Sequence, residues 1–130
     1  ELLENSEAMR TTRSISSFVV CACREGRLMV ELLLLILGDS TTPQFKAFMR
    51  RLSEPANLGD KLRDARRDHA RGELAIQPDI GFHLSLAYEI ARRILPLAAF
   101  CMGNWQLLAW GMNSLFTELI LFRFSKSHAR

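Results

Sequence analysis

The sequence predicts an all-α, helical membrane-associated protein with an amphipathic N-terminal half and a C-terminal apolar helical hairpin or span. Three observations predict it. Only four prolines occur in 130 residues, and no run alternates apolar and polar residues as a half-buried strand does. Apolar residues in the N-terminal half recur at the three- and four-residue spacing of a helix face. Charge is segregated: residues 50–73 carry a dense mixture of Arg, Lys, Asp and Glu, whereas Ile94 to Phe122 carries Glu118 alone. The length points to a single helical domain, 1–130, divided into amphipathic helices over 14–74 and apolar, membrane-embedded helices over 78–124.

The opening "ELLENSEAMR" is acidic and polar, where a secretory signal is basic and then apolar. Ser14 to Leu37 is the first long helical segment, with Phe18, Cys21, Ala22, Leu28, Met29 and Leu32 at partly amphipathic spacing. Its run "LMVELLLLIL", Leu28 to Leu37, is 10 residues long, half the ~20 that span a bilayer. Extending it draws in Arg24, Glu25 and Arg27, each costing about 2.5–3.5 kcal/mol at mid-bilayer. A buried or interfacial helix is expected here, stopped by Gly38-Asp39-Ser40.

Thr42 can cap a second helix, with Pro43 at its first position, where the missing N–H is harmless. Phe45, Phe48, Met49 and Leu52 form one apolar stripe, while Lys46, Arg50 and Arg51 fall elsewhere on the cylinder. Ser53-Glu54-Pro55 is expected to break that helix. A third follows, with Leu58, Leu62 and Ala65 as a thin stripe. Its acid–base pairs Asp60–Arg63, Asp64–Arg67 and Asp68–Arg71 are spaced to meet on a solvated surface.

The last part starts at Gln77-Pro78-Asp79 and is apolar from Ile80 onward. Ile94 to Phe122 is 29 residues, about 44 Å as one helix, which exceeds a hydrocarbon core of ~30 Å. Gly103-Asn104 offers a hairpin turn; a single span from about Ile94 to Met112 is the other arrangement. The hairpin would keep Arg92, Arg93, Arg123 and Lys126 on one side of the membrane. Trp105 and Trp110 suit the interface in either case. A buried helix of a soluble core is the competing reading, since Asn104, Gln106, Asn113 and Glu118 are polar for a span.

No catalytic constellation emerges, and no cofactor or metal is expected. Asn57, Asp60, Asp64 and Asp68 share a helical face, as Mg²⁺-diphosphate sites require, but arginines interleave and no second aspartate cluster answers them. His69, His83 and His128 are scattered without zinc spacing. Glycine-rich phosphate loops are absent. Cys21, Cys23 and Cys101 lie in apolar stretches and read as packed thiols. A net charge of +3, with no basic stretch interleaved with aromatics, gives nucleic acid no surface.

Two segments in order, 14–70 and 84–124, resemble the peroxin eleven family of peroxisomal membrane-elongation proteins. The matching pieces are Cys21-Ala22-Cys23-Arg24, Thr42-Pro43-Gln44-Phe45 and Leu58-Gly59-Asp60-Lys61-Leu62-Arg63, then Arg92-Arg93, Pro96-Leu97, Gly103-Asn104-Trp105, Trp110-Gly111 and Asn113-Ser114-Leu115. This chain is shorter than the family through its middle, near Glu73 to Pro78. The resemblance implies a peroxisomal or glycosomal membrane protein that self-associates, inserts an amphipathic helix into one leaflet and elongates the organelle. Aspartates dilute the basic character of 57–71, so residues 44–52 are the expected insertion helix. Phe45, Phe48, Met49 and Leu52 would face acyl chains, and Lys46, Arg50 and Arg51 would meet anionic headgroups. The alternative is a non-catalytic accessory subunit of a larger membrane complex, for example in the mitochondrial inner membrane. A third reading is an enzyme acting on a lipid diphosphate through the aspartate-rich helix.

Overall fold

The computed structural model describes residues 1–104 and Ala109. The described residues are helical, with no strand among them: α1 (Leu2–Thr11), α2 (Ile15–Leu37), α3 (Pro43–Ala70) and α4 (Ile80–Met102). No helix among the described residues is long and apolar enough to cross a membrane. The chain divides into two compact units, Glu1–Leu97 and Ala98–Arg130, so the first 18 residues of α4 belong to the first unit.

Local signals start and stop the helices. The Ser14 hydroxyl accepts from the Ser17 N–H at the start of α2, and Gly38, at φ 58°, ends it. A 3-10 turn, Gly38–Ser40, leads to Thr42, whose hydroxyl accepts from the Phe45 N–H at 3.2 Å, with Pro43 opening α3. Gly72, at φ 73°, closes α3, and the Glu73 N–H returns to the Asp68 carbonyl at 2.8 Å. Asp79 starts α4 by accepting from the Phe82 N–H at 2.8 Å.

Two findings differ from the sequence expectation. The opening decapeptide forms α1, which buries Met9 and Asn5; the Asn5 amide donates to the Cys21 carbonyl at 2.8 Å. Ser53-Glu54-Pro55 does not break the chain into two helices, because α3 runs through Pro55. An internal proline costs a helix about 3 kcal/mol. It persists here because both halves of α3 lie along one uninterrupted partner, α2. Pro55 and Ser53 are buried, and Ser53 Oγ donates to the Arg50 carbonyl at 2.8 Å.

α3 runs antiparallel to α2. Asn57 donates to the Ala22 carbonyl at 2.7 Å, and Lys61 meets Glu25 at 2.9 Å. Toward the opposite end, Arg27 meets Glu54 at 3.4 Å and Arg50 meets Glu31 at 2.7 Å. α4 closes the other side: the Phe18 and Phe82 rings are 5.5 Å apart, and Arg93 reaches Glu54 at 2.8 Å. The core gathers around Phe18, Ala22, Leu58, Phe82 and Leu86, with Leu74 and Ile76 of the α3–α4 connection sealing its end. It is therefore built on the first half of α2 and the second half of α3. Beyond Gly26 on α2 and before Ser53 on α3, the fully buried apolar residues reduce to Leu34 and Phe48.

Candidate functional site

The thin end of the α2–α3 pair carries the residues singled out from the sequence, and their arrangement differs from the expected one. Phe48 is 4% exposed, and Phe45, Met49 and Leu52 are half-buried. α3 has one apolar stripe at this level, and it is turned inward. Lys46 lies 4.0 Å from Asp39, and Arg50 grips Glu31 through Nε and Nη2 at 2.7 and 3.0 Å. Arg51 is exposed and donates to the Ala47 carbonyl at 3.2 Å. α4 ends at Met102; Gly103 lies in a turn, and the Asn104 N–H meets the Cys101 carbonyl at 2.9 Å. Trp105 and Trp110, and with them the course of any hairpin, lie outside the described residues.

The exposed apolar surface is on α2. Met29, Leu32, Leu33, Leu35 and Ile36 all face outward, Leu35 at 77% and Ile36 at 75% exposure. At 100° per residue these five side chains sweep about 160° of the helix circumference. Leu34 is the one buried residue of the run, and Leu28, Val30 and Leu37 are half-buried. A helix that is apolar nearly all round is ordinarily enclosed on every side. The sequence signal was the run Leu28 to Leu37 itself. Its nine apolar positions, interrupted only by Glu31, exceed what one neighbouring helix can cover.

One carboxylate borders this face, and it is neutralised in place. Arg50 donates two hydrogen bonds to Glu31, and these hold its carboxyl below the usual carboxylate range. A second network lies where α3, α2 and α4 meet. Arg93 joins Glu54 and Glu89, and Arg92 adds a bond to Glu89 at 2.8 Å. The hydrogen bonds from Arg93 lower the Glu89 carboxyl. Burial pushes the nearby Cys23 thiol up, which disfavours the nucleophilic thiolate.

The aspartate-rich face holds ion pairs. Asp60 meets Arg63 at 2.9 Å and Asp64 meets Arg67 at 2.9 Å. Asp68 pairs with Arg67 at 3.7 Å rather than with Arg71, because α3 stops at Ala70 and Arg71 is already its cap. Asn57 is turned away toward Ala22 and Glu25. Among the described residues no three His, Cys, Asp or Glu side chains are grouped to hold a metal ion. No protein-family model, curated protein or solved structure matches the chain.

Proposed function

We propose that this chain is a membrane-associated protein of the peroxin eleven type. It elongates a peroxisomal or glycosomal membrane before division by burying a helix face in one leaflet and by self-association. The observation that supports this reading is the outward apolar face of α2, Met29 to Ile36, at the thin end of the α2–α3 pair. Surfaces of this kind mark membrane or protein contacts. Full burial of a Leu or Ile side chain contributes about 1.5–3 kcal/mol, so five partly exposed side chains outweigh the loss of freedom on docking. Seated ~5–10 Å deep, such a face expands one leaflet and favours curvature. The wedge is thus assigned to α2, because α3 uses its own stripe internally.

The test uses full-length protein on anionic vesicles, with circular dichroism to check folding. Leu35→Glu combined with Ile36→Glu should weaken vesicle binding at least tenfold, abolish tubulation and leave helicity unchanged. Phe48→Glu should instead unfold the thin end of the α2–α3 pair. Undiminished tubulation by the α2 variant would remove this reading.

A second reading, the accessory subunit, is favoured by α4. Ile80, Leu84, Tyr88 and Leu95 are exposed along one line of that helix, at a spacing that suits a partner helix. A stoichiometric, detergent-stable complex lost on Leu84→Glu would select it. Localisation of the tagged chain separates a peroxisomal or glycosomal site from the mitochondrial inner membrane.

A further inference from the structure

Helices α2 and α4 leave an open groove of about 650 Å³ between them, with apolar walls and a charged end. Val19 is buried at its floor, and Ile15, Val20, Leu84 and Tyr88 form its sides. Val20, Leu84 and Tyr88 are each about two-thirds exposed, so this apolar wall faces solvent. Phe18 packs on Phe82, and Glu54 joins Arg27 to Arg93, so α2 and α4 run in the same direction. Arg92 therefore stands past the apolar residues at one end, about 12 Å along α4 from Leu84. The charges there can be counted through their ion pairs. Arg27 and Arg93 share Glu54, and Arg93 and Arg92 share Glu89. Three guanidinium groups against two carboxylates leave one positive charge. Arg92 is the exposed member at the groove; it gives one bond at 2.8 Å to Glu89 and has five N–H donors in all.

We propose that this groove binds a fatty-acid anion, with its carboxylate on the Arg92 guanidinium and its chain along Val19, Val20, Leu84 and Tyr88. Small-molecule sites of ~300–1,000 Å³ combine an apolar lining with a few polar anchors, and the groove has both the size and the pattern. The single positive charge left over matches the single negative charge of a carboxylate at neutral pH. The planar fork of arginine suits paired bonds to its two oxygens. The stretch from Leu84 to Arg92 is covered by roughly ten bonds of an extended chain, so dodecanoate fills it and longer chains project beyond it. The site goes beyond both functional readings, because it uses neither the Met29 to Ile36 face of α2 nor a partner protein.

The test titrates the full chain by calorimetry with octanoate, decanoate, dodecanoate and tetradecanoate, each below its micelle-forming concentration. Circular dichroism checks the fold of every variant. One saturable site is expected. A fully buried methylene contributes about fourfold in affinity, so affinity should rise at least tenfold from octanoate to dodecanoate and then level off at tetradecanoate. Decanol should bind about tenfold more weakly than decanoate. Arg92→Gln should remove that difference, and Arg92→Lys should keep part of it, because lysine retains the charge and loses the fork. Val20→Glu should weaken dodecanoate at least tenfold with helicity unchanged. Three results overturn the proposal: no saturable binding, affinity that keeps climbing past dodecanoate as in simple partition, or full dodecanoate affinity in Arg92→Gln. Loss of binding in Leu35→Glu with Ile36→Glu would put the chain on the other α2 face and also overturn it. Failure of the membrane reading appears separately, as vesicle tubulation undiminished in that same variant, with the calorimetry intact.

Discussion

Gly26 shows how a single residue sets the distance between two helices. A methyl group there would run into the Ser53 carbonyl oxygen and lie 2.9 Å from the Asn57 Cβ. Helix α3 passes close to α2 at this point, beside its own proline. Gly26→Ala should therefore destabilise by about 1–3 kcal/mol in urea unfolding, as overpacking does. Gly59 meets nothing within 4 Å, so Gly59→Ala should stabilise the same helix pair by about 0.5–1 kcal/mol. Nothing near Gly26 in the sequence marks it, because the atoms that require a glycine come from residues 53 and 57. Glu89 gives the pH prediction. Its carboxyl is held below its ordinary 4.5 when folded, so the unfolded chain binds the proton more readily. The stabilisation is complete above about pH 4.5 and is lost as pH falls through the lowered folded value. Urea midpoints should fall more steeply with acid in the parent chain than in Glu89→Gln; equal slopes would mean that the Arg93 ion pair contributes nothing.

Among the elements, the helix starts at Ser14 and Thr42 and the stop at Gly38 were legible, because caps and a positive φ are local chemistry. Two features were not. α1 is polar over most of its length and buries only Met9 and Asn5, so its periodicity was too thin to register. In α3 the local signal at Ser53-Glu54-Pro55 pointed to a break, and the long partner α2 outweighed it. Amide exchange provides the check. Leu52 and Gly59, on either side of Pro55, should be protected to within about tenfold of Leu58, while rapid exchange confined to 52–57 would restore two separate helices. The aspartate-rich stretch was read correctly as a solvated ion-pair surface for Asp60 and Asp64, and misread only at Asp68, where the helix had already ended.

For the whole molecule, the all-α class followed from composition and periodicity. What could not be read from sequence was which apolar stripe meets which surface. The stripe of Phe45, Phe48, Met49 and Leu52 and the run Leu28 to Leu37 are both apolar enough for lipid. In the folded chain the first is buried or half-buried and most of the second is exposed, and that depends on packing rather than on composition. The account of function rests on that outward face of α2 meeting acyl chains. The most direct measurement places a benzophenone amino acid at position 35 of the full-length chain and irradiates it in its native membrane. Adducts identified by mass spectrometry should be with phospholipid acyl chains. Adducts with a protein, or no adduct because the probe stands in water, would contradict the account.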